Sequence, residues 1–464
     1  MYNSTKFYKW VCMNQYKEQF FKIGLAILIA MLVFALSISV FTTTQALLLG
    51  LIALLVTLWT NEGLPLGVVS LLPIILFPAF TILTTKETTV NYAHPIIFLF
   101  LGGFLLAIAV EKTGLHKWIA DKMLSLFPAT PKGIIFSLTI TSGLLSSVLS
   151  NTTTTLLLMA IALFITENLK LKMRFALAIA YGASVGGILT PIGTPPNLIL
   201  LGIMQDKGMD LIPFLQWVMM VAPLVFTMLF IVASLLSIGV NDIDVKLTSE
   251  KKPLVKEQKK VLYIIAGLVT LLLLNAPLKP YWDGLGLSEA GILLGCGLLL
   301  YAPPFNVLNW MSDKGKVPYR IMFLFGAGFS IAKAFSATGL ADEFASYLII
   351  MTQLPPILII LSIAMLITFT TEITSNTALI SIMLPVIYAV SEQTGLNTTL
   401  FMMIATVCAS YAFMLPIATA PNAIAMSSGV VSIKNMARYG IILNFIGIFL
   451  IVMIAEFFWK GIFS

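Results

Sequence analysis

Apolar residues dominate this chain in long runs of roughly 15 to 30 residues, separated by short polar segments, and a helix needs ~20 to cross a bilayer. Eleven runs predict membrane-spanning helices, at about 23–40, 46–60, 64–83, 95–110, 175–205, 212–240, 261–275, 290–304, 321–334, 398–430 and 441–458. Two further apolar stretches, 134–166 and 357–390, are interrupted by polar residues near their middles. The fold expected is an all-α polytopic membrane protein.

Composition sharpens that expectation. Of the 464 residues 59% are hydrophobic and 10% charged, and mean hydropathy is +1.00. A soluble domain carries about 25% charged residues, and disordered chains are polar, so both classes are excluded. The net charge of +7 does not point to nucleic acid, because the basic residues fall in loops between apolar runs. Three cysteines and two histidines give no metal-site or disulfide spacing. The basic N-terminal segment leads into an apolar run without a small-residue cleavage site, which predicts a retained first span.

Alternating the loops across the bilayer puts 22 of the 27 Lys and Arg residues on one side and four (Lys86, Lys207, Lys279, Lys460) on the other. Lys333 sits at a span end. The positive-inside rule then places the N-terminus in the cytoplasm and the C-terminus outside. The long polar segment 241–260 reads as a cytoplasmic linker between two halves.

Those halves resemble each other at an offset of 225 residues. Ser150-Asn151-Thr152 falls on Ser375-Asn376-Thr377, Pro191-Ile192 on Pro416-Ile417, Thr194 on Thr419 and Pro196-Asn197 on Pro421-Asn422, with no gap. Equivalent elements lie five spans apart, an odd number, so the copies would be inverted, an arrangement common in secondary transporters. The expected division is 1–94 N-terminal scaffold spans, 95–240 first repeat, 241–260 linker, 261–320 scaffold spans and 321–464 second repeat.

Each copy carries two polar interruptions. The arms of 134–166 and 357–390 are short for crossing, so each stretch reads as a re-entrant hairpin with its Ser-Asn-Thr tip at mid-membrane; two short spans each would leave the topology unchanged. The runs 175–205 and 398–430 contain Pro-rich breaks, 190–197 and 416–422, and proline frees backbone carbonyls. Non-helical backbone at that depth is tolerated where it lines a cavity, so the paired breaks mark a binding site.

The chemistry on offer is hydroxyls, side-chain amides and carbonyls. These suit sodium better than a proton relay, which needs carboxylates or histidines. Glu372 is the one nearby carboxylate; it reads as a cap on local backbone or a partner of Lys333. Helix N-termini expected at Thr152 and Thr377 would turn positive dipole ends toward the centre. With no Arg in the core, a small anion would be held by dipoles and co-bound cations, which couples the two.

The paired Ser-Asn-Thr tips, Pro191-Ile192-Gly193-Thr194-Pro195-Pro196-Asn197, and Ser410-x-x-Phe413-x-x-Pro416-Ile417-Ala418-x-x-x-Asn422 resemble the divalent anion–sodium symporter family, in particular its bacterial dicarboxylate transporters. The resemblance spans essentially the whole chain. It implies a homodimer in the bacterial inner membrane, with a scaffold and an elevator-type transport domain carrying both hairpins and both broken helices. It implies one sodium site at Ser146, Ser150, Asn151 and Gly193, and a second at Thr371, Thr374, Asn376 and Ala418. The offset carries Ser146 to Thr371, Asn151 to Asn376 and Gly193 to Ala418. Substrate carboxylates would meet Asn151, Thr152, Thr194, Ser375, Asn376, Thr377 and Thr419. C4-dicarboxylates such as succinate, fumarate and malate are the implied cargo, with sodium as coupling ion and no organic cofactor. Ala420 departs from the first copy's Pro195.

Other readings are dicarboxylate exchange, proton coupling, and sodium symport of citrate or sulfate. An intramembrane enzyme would need acidic pairs or a Ser–His pair, yet all eight aspartates lie in or beside loops and neither histidine lies near a tip. A channel fits two opposed tips less well than alternating access does. Gly182-x-x-x-Gly186-Gly187 reads as close helix packing, within one chain or between two. Stretch 114–127 is amphipathic and reads as an interfacial helix.

Overall fold

The apolar runs fold as helices because few breakers fall inside them, and helices end where Pro, Gly or a capping Ser, Thr or Asn occurs. The structure is a computed structural model that describes residues 2–240, 253–276, 282–348 and 355–463. Most of the expected linker, 241–252, and Lys279 lie outside the described residues.

Among the described residues the chain is all-helical. The first part comprises α1 (Tyr2–Ser37), α2 (Thr43–Asn61), α3 (Leu66–Val69), α4 (Leu72–Ala79), α5 (Thr85–Val90), α6 (Pro95–Thr113) and α7 (Leu115–Leu124). There follow α8 (Pro131–Ser146), α9 (Asn151–Ala162), α10 (Leu169–Gly186), α11 (Pro195–Asp206) and α12 (Phe214–Ser237). The middle holds α13 (Lys256–Asn275), α14 (Glu289–Leu299) and α15 (Trp310–Asp313). The last part comprises α16 (Tyr319–Ala337), α17 (Leu340–Leu348), α18 (Pro356–Thr371), α19 (Asn376–Thr394), α20 (Thr398–Cys408), α21 (Ala420–Ser427), α22 (Ile433–Ile454) and α23 (Lys460–Phe463).

Helix limits recur at the offset of 225. Pro131–Ser146 corresponds to Pro356–Thr371, and the helix starts at Asn151 and Pro195 correspond to those at Asn376 and Ala420.

Among the described residues seven helices are long and apolar enough to cross a membrane: Tyr16–Ser37, Thr43–Asn61, Thr85–Thr113, Phe214–Ser237, Tyr319–Ala337, Asn376–Thr394 and Ile433–Phe463. The difference from eleven has local causes. The runs 175–205 and 398–430 each divide into two helices about a break. The run 64–83 divides at Ser70–Leu71 into α3 and α4, amid Pro65, Pro73 and Pro78. Helix α14 stops at Leu299, shortly before Pro303-Pro304, and α13 starts with a charged turn. Helix α19, at 19 residues, is longer than the short arm expected for a hairpin.

Backbone packing is close where glycine allows it. A Cβ at Gly182 would lie 2.6 Å from the Thr139 carbonyl oxygen, and one at Gly186 would lie 2.1 Å from that of Gly143. The small-residue motif on α10 therefore packs against α8 of the same chain. Helix α7 buries Leu115, His116, Ala120 and Leu124, one face of the amphipathic stretch. Residues of α2 and α4 form a second apolar cluster with α16, Leu340 and Ala341 of α17, and Ala378, Val386 and Ala389 of α19.

Polar contacts join loops that the Lys/Arg alternation assigns to one side. On one face His94 Nε2 meets Asp206 Oδ1 at 3.1 Å, Lys207 Nζ donates to Ser336 Oγ, Gln45 Nε2 to the Thr338 carbonyl, and Asn397 Nδ2 to the Phe463 carbonyl. On the other, Lys112 Nζ lies 2.6 Å from the buried Asp313, Asn61 Nδ2 donates to the Lys22 carbonyl, and Gln258 Nε2 to that of Thr113.

Candidate functional site

The two interhelical turns, 147–150 and 372–375, and the two breaks, 187–194 and 409–419, meet around one cavity of about 240 Å³. Its wall includes Ser150, Asn151, Thr152, Gly193 and Thr194 from the first copy, and Ser375, Asn376, Thr377, Ala418 and Thr419 from the second. Every residue expected to meet substrate lies on that wall. Of the expected sodium ligands, Ser150, Asn151, Gly193, Asn376 and Ala418 line it, while Ser146, Thr371 and Thr374 are not among its lining residues. Phe100, Phe104 and Ile321 of α6 and α16 add apolar surface.

Four helices begin at this cavity. Their N-cap residues, Ser150 (α9), Thr194 (α11), Ser375 (α19) and Thr419 (α21), all line it. The helices start at Asn151 and Asn376, one residue before the starts expected from sequence. Each N-terminus presents unpaired N–H groups and the positive end of a helix dipole. Ser150 spends its hydroxyl oxygen on the Thr153 N–H at 3.1 Å, and Thr419 caps Asn422 at 3.3 Å. Ser375 and Thr194 make no such side-chain cap. No Lys, Arg or His side chain lines the cavity among the described residues. The site is thus built to hold negative charge with neutral groups.

Oxygens pair on both flanks. Ser146 Oγ donates to Asn151 Oδ1 at 2.5 Å, and Thr371 Oγ1 donates to Asn376 Oδ1 at 2.7 Å, the same contact shifted by 225 residues. Gly193 crowds this region in the first copy: a Cβ on it would lie 2.3 Å from the Gly187 carbonyl oxygen, and a Cβ on Gly187 would lie 2.8 Å from Asn151 Oδ1. Thr374 differs, since its hydroxyl donates to the Thr370 carbonyl within its own turn. Its oxygen keeps lone pairs to offer a cation.

The two copies tie turn to break at equivalent positions by different chemistry. In the first, Thr190 Oγ1 donates to the Ser147 carbonyl. In the second, Glu372 stands where Ser147 does, and its carboxylate accepts the N–H groups of Phe413, Met414 and Leu415 at 2.8–3.0 Å, plus Asn444 Nδ2 at 2.7 Å. The neighbouring Thr371 hydroxyl shares its single proton between Asn376 Oδ1 and, at 2.9 Å, the Ala409 carbonyl, which would be the helical partner of the Phe413 N–H. Thr371 and Glu372 together replace the last hydrogen bonds of a helical turn. That explains why α20 stops at Cys408, whereas α10 runs to Gly186, the counterpart of Tyr411. Lys333 does not pair with Glu372; it lies in electrostatic range of Glu87. Of the two expectations for Glu372, backbone capping is the one the structure shows.

Sequence reasoning gave no role to Asn197 and Asn422, although both stood in the repeated Pro-Asn pattern. Asn197 Nδ2 donates to the Gly187 and Thr190 carbonyls, and Asn422 Nδ2 to the Ala412 and Leu415 carbonyls. The recurrence of an amide at a fixed distance after each break was the available signal. The apolar wall from Phe100 and Phe104 left none, because it looks like any membrane helix face.

The chain's similarities agree with this geometry. Residues 53–400 match the CitMHS family model, described as citrate transporter. The chain is 30% identical to the "Sodium-dependent dicarboxylate transporter SdcS" of Staphylococcus saprophyticus, over 96% of this chain and 93% of that protein. It is 32% identical to the protein of the same name from Staphylococcus aureus, over 86% and 83%. Two solved structures share the fold at 14% identity. One is MtrF of Neisseria gonorrhoeae, whose report speaks of a class of antimetabolite efflux pumps (TM-score 0.58, covering 80% of this chain and 83% of that one). The other is the YdaH transporter of Alcanivorax borkumensis (TM-score 0.57, covering 81% and 88%). The match over three-quarters of the chain, joined to a helical membrane architecture, makes this chain a transporter rather than an enzyme, and it belongs to the CitMHS citrate transporter family.

Proposed function

We propose that this protein couples the uptake of C4-dicarboxylates, such as succinate, fumarate and malate, to sodium. The observation that carries this is the convergence of four helix N-termini on one cavity whose lining holds no cationic side chain, flanked by two oxygen pairs related by the 225-residue offset. The printed names of the relatives, sodium-dependent dicarboxylate transporters, support both the ion and the cargo.

Ser146, Ser150, Asn151 and Gly193 hold one sodium ion, and Thr371, Thr374, Asn376 and Ala418 hold a second. Substrate carboxylates take the N-terminal amides and the side chains of Asn151, Thr152, Thr194, Ser375, Asn376, Thr377 and Thr419. Two anionic carboxylates placed against dipoles alone repel each other; bound sodium offsets that charge, so substrate and ion bind cooperatively. The cargo crosses when the turns and breaks of both copies move together against the remaining helices, as an elevator within a homodimer of the bacterial inner membrane. The inverted relation of the copies gives the inward- and outward-open forms from one fold.

Thermal unfolding of the detergent-purified protein tests the coupling, since a ligand stabilises the state that it binds. Succinate raises the melting temperature in sodium chloride and leaves it unchanged in potassium chloride. Equal stabilisation in both salts contradicts sodium coupling. A larger shift with citrate than with succinate moves the cargo to the tricarboxylate named in the family's description.

A further inference from the structure

The strongest unassigned feature is a pair of asparagines at the ends of the breaks. Asn197 and Asn422 are fully buried, lie 225 residues apart, and occupy the first turns of α11 and α21. Neither lines the cavity. Each uses one NH₂ group to grip two carbonyls of the break that precedes it. Asn197 Nδ2 lies 3.3 Å from the Gly187 oxygen and 2.9 Å from that of Thr190. Asn422 Nδ2 lies 2.9 Å from the Ala412 oxygen and 3.0 Å from that of Leu415.

The gripped carbonyls connect directly to the ion sites. The Thr190 oxygen also accepts the Gly193 N–H at 3.2 Å, and the Leu415 oxygen also accepts the Ala418 N–H at 3.3 Å. Gly193 and Ala418 are the backbone members of the two sodium sites under the proposed function. In each copy, therefore, one amide, one carbonyl and one N–H link the helix start to the residue that must hold its carbonyl at a fixed place. Backbone freed from a helix has no ladder to fix it, so without these bonds the loop has many conformations, and ordering it at the moment of binding would oppose binding. Proline supplies part of the rigidity at residues 195, 196 and 421, but it has no N–H and cannot hold a carbonyl. Among the described residues the Oδ1 atoms of both asparagines have no hydrogen-bond partner. The donor half of the amide is thus the part that the fold uses.

We infer that Asn197 and Asn422 are positioning residues for sodium: each clamps its break so that the carbonyls at Gly193 and Ala418 are preset for the cation, one clamp per ion site. This rests on the sodium reading above. Outer-shell groups that orient metal ligands typically change metal affinity by roughly 10- to 100-fold when removed.

The test is sodium-dependent succinate uptake into proteoliposomes by wild type, Asn197→Leu and Asn422→Leu. Leucine is close to asparagine in size and donates no hydrogen bond at any pH. The expected result is a rise of roughly tenfold in the sodium concentration for half-maximal uptake for either variant, with the succinate KM at saturating sodium within about twofold of wild type. Asn197→Ser and Asn422→Ser, which retain one donor, fall between and provide the same readout if a leucine variant does not fold. An unchanged sodium requirement in folded variants overturns the clamp while leaving the sodium reading intact. A succinate KM that rises as steeply as the sodium requirement also overturns it, because the asparagines then serve the whole site. Uptake by wild type that ignores sodium defeats the earlier reading instead.

Discussion

Asn151 and Asn376 each stand between a hydroxyl partner on one side and the cavity on the other. Ser146 and Thr371 donate to their Oδ1 atoms, while both residues line the cavity that the proposed function assigns to the cargo. One side chain serving two ligands should affect both when removed. Asn151→Ala and Asn376→Ala should each lower succinate uptake at least about tenfold at fixed sodium and raise the half-saturating sodium concentration, as loss of an ion-directed group does. Normal sodium activation in either variant removes that asparagine from its ion site. The identities of these residues were readable from the sequence because polar triplets in apolar runs are costly and therefore stand out. The partnership of Glu372 was only half readable. Its burial beside a tip was expected, but which N–H groups it would take depends on where the break of another helix comes to lie. The Lys333 alternative failed for the same reason: proximity in sequence pattern said nothing about the distance between α16 and the turn at 372–375.

At the scale of elements, proline and glycine decide where helices stop and how closely they pack. The breaks at 187–194 and 409–419 were legible as Pro-rich interruptions, and so were the short helices that follow them. The three extra unwound residues in the second break were not, because they arise from Thr371 and Glu372 replacing backbone partners across space. Nor was the partner of the α10 glycines, since a small-residue stripe looks the same whether it faces another copy or its own chain. The structure makes that distinction testable. Gly186→Ala places a methyl group against the Gly143 backbone, with 2.1 Å between Cβ and the carbonyl oxygen. Overpacking of this kind costs about 1–3 kcal/mol, so the variant should unfold at a lower temperature in detergent. Unchanged unfolding would show that α8 and α10 separate without cost.

For the molecule as a whole, two independent regularities agree. Lys and Arg alternate across eleven predicted runs with a bias of 22 to four, and the hydrogen bonds and ion pairs that cross between distant loops connect loops on the same side of that alternation. The absolute direction follows from the positive-inside rule and is checked by labelling. In a background with Cys12, Cys296 and Cys408 replaced, a cysteine at the exposed Gln393 should react with a membrane-impermeant reagent on intact cells, and one at the exposed Lys314 should not. The reverse pattern inverts the topology. What the sequence left open at this scale is the number of full crossings, because helices of 11 to 16 residues such as α8, α9, α14 and α18 are short by length alone and are placed only by their neighbours. Whether this cavity of neutral groups moves a dicarboxylate only with sodium is read from the uptake of labelled succinate into proteoliposomes of the purified protein. An inward sodium gradient is compared there with matched potassium and proton gradients. Accumulation with sodium alone is expected. Uptake that ignores sodium and requires dicarboxylate inside the vesicles would contradict it and make the protein an exchanger.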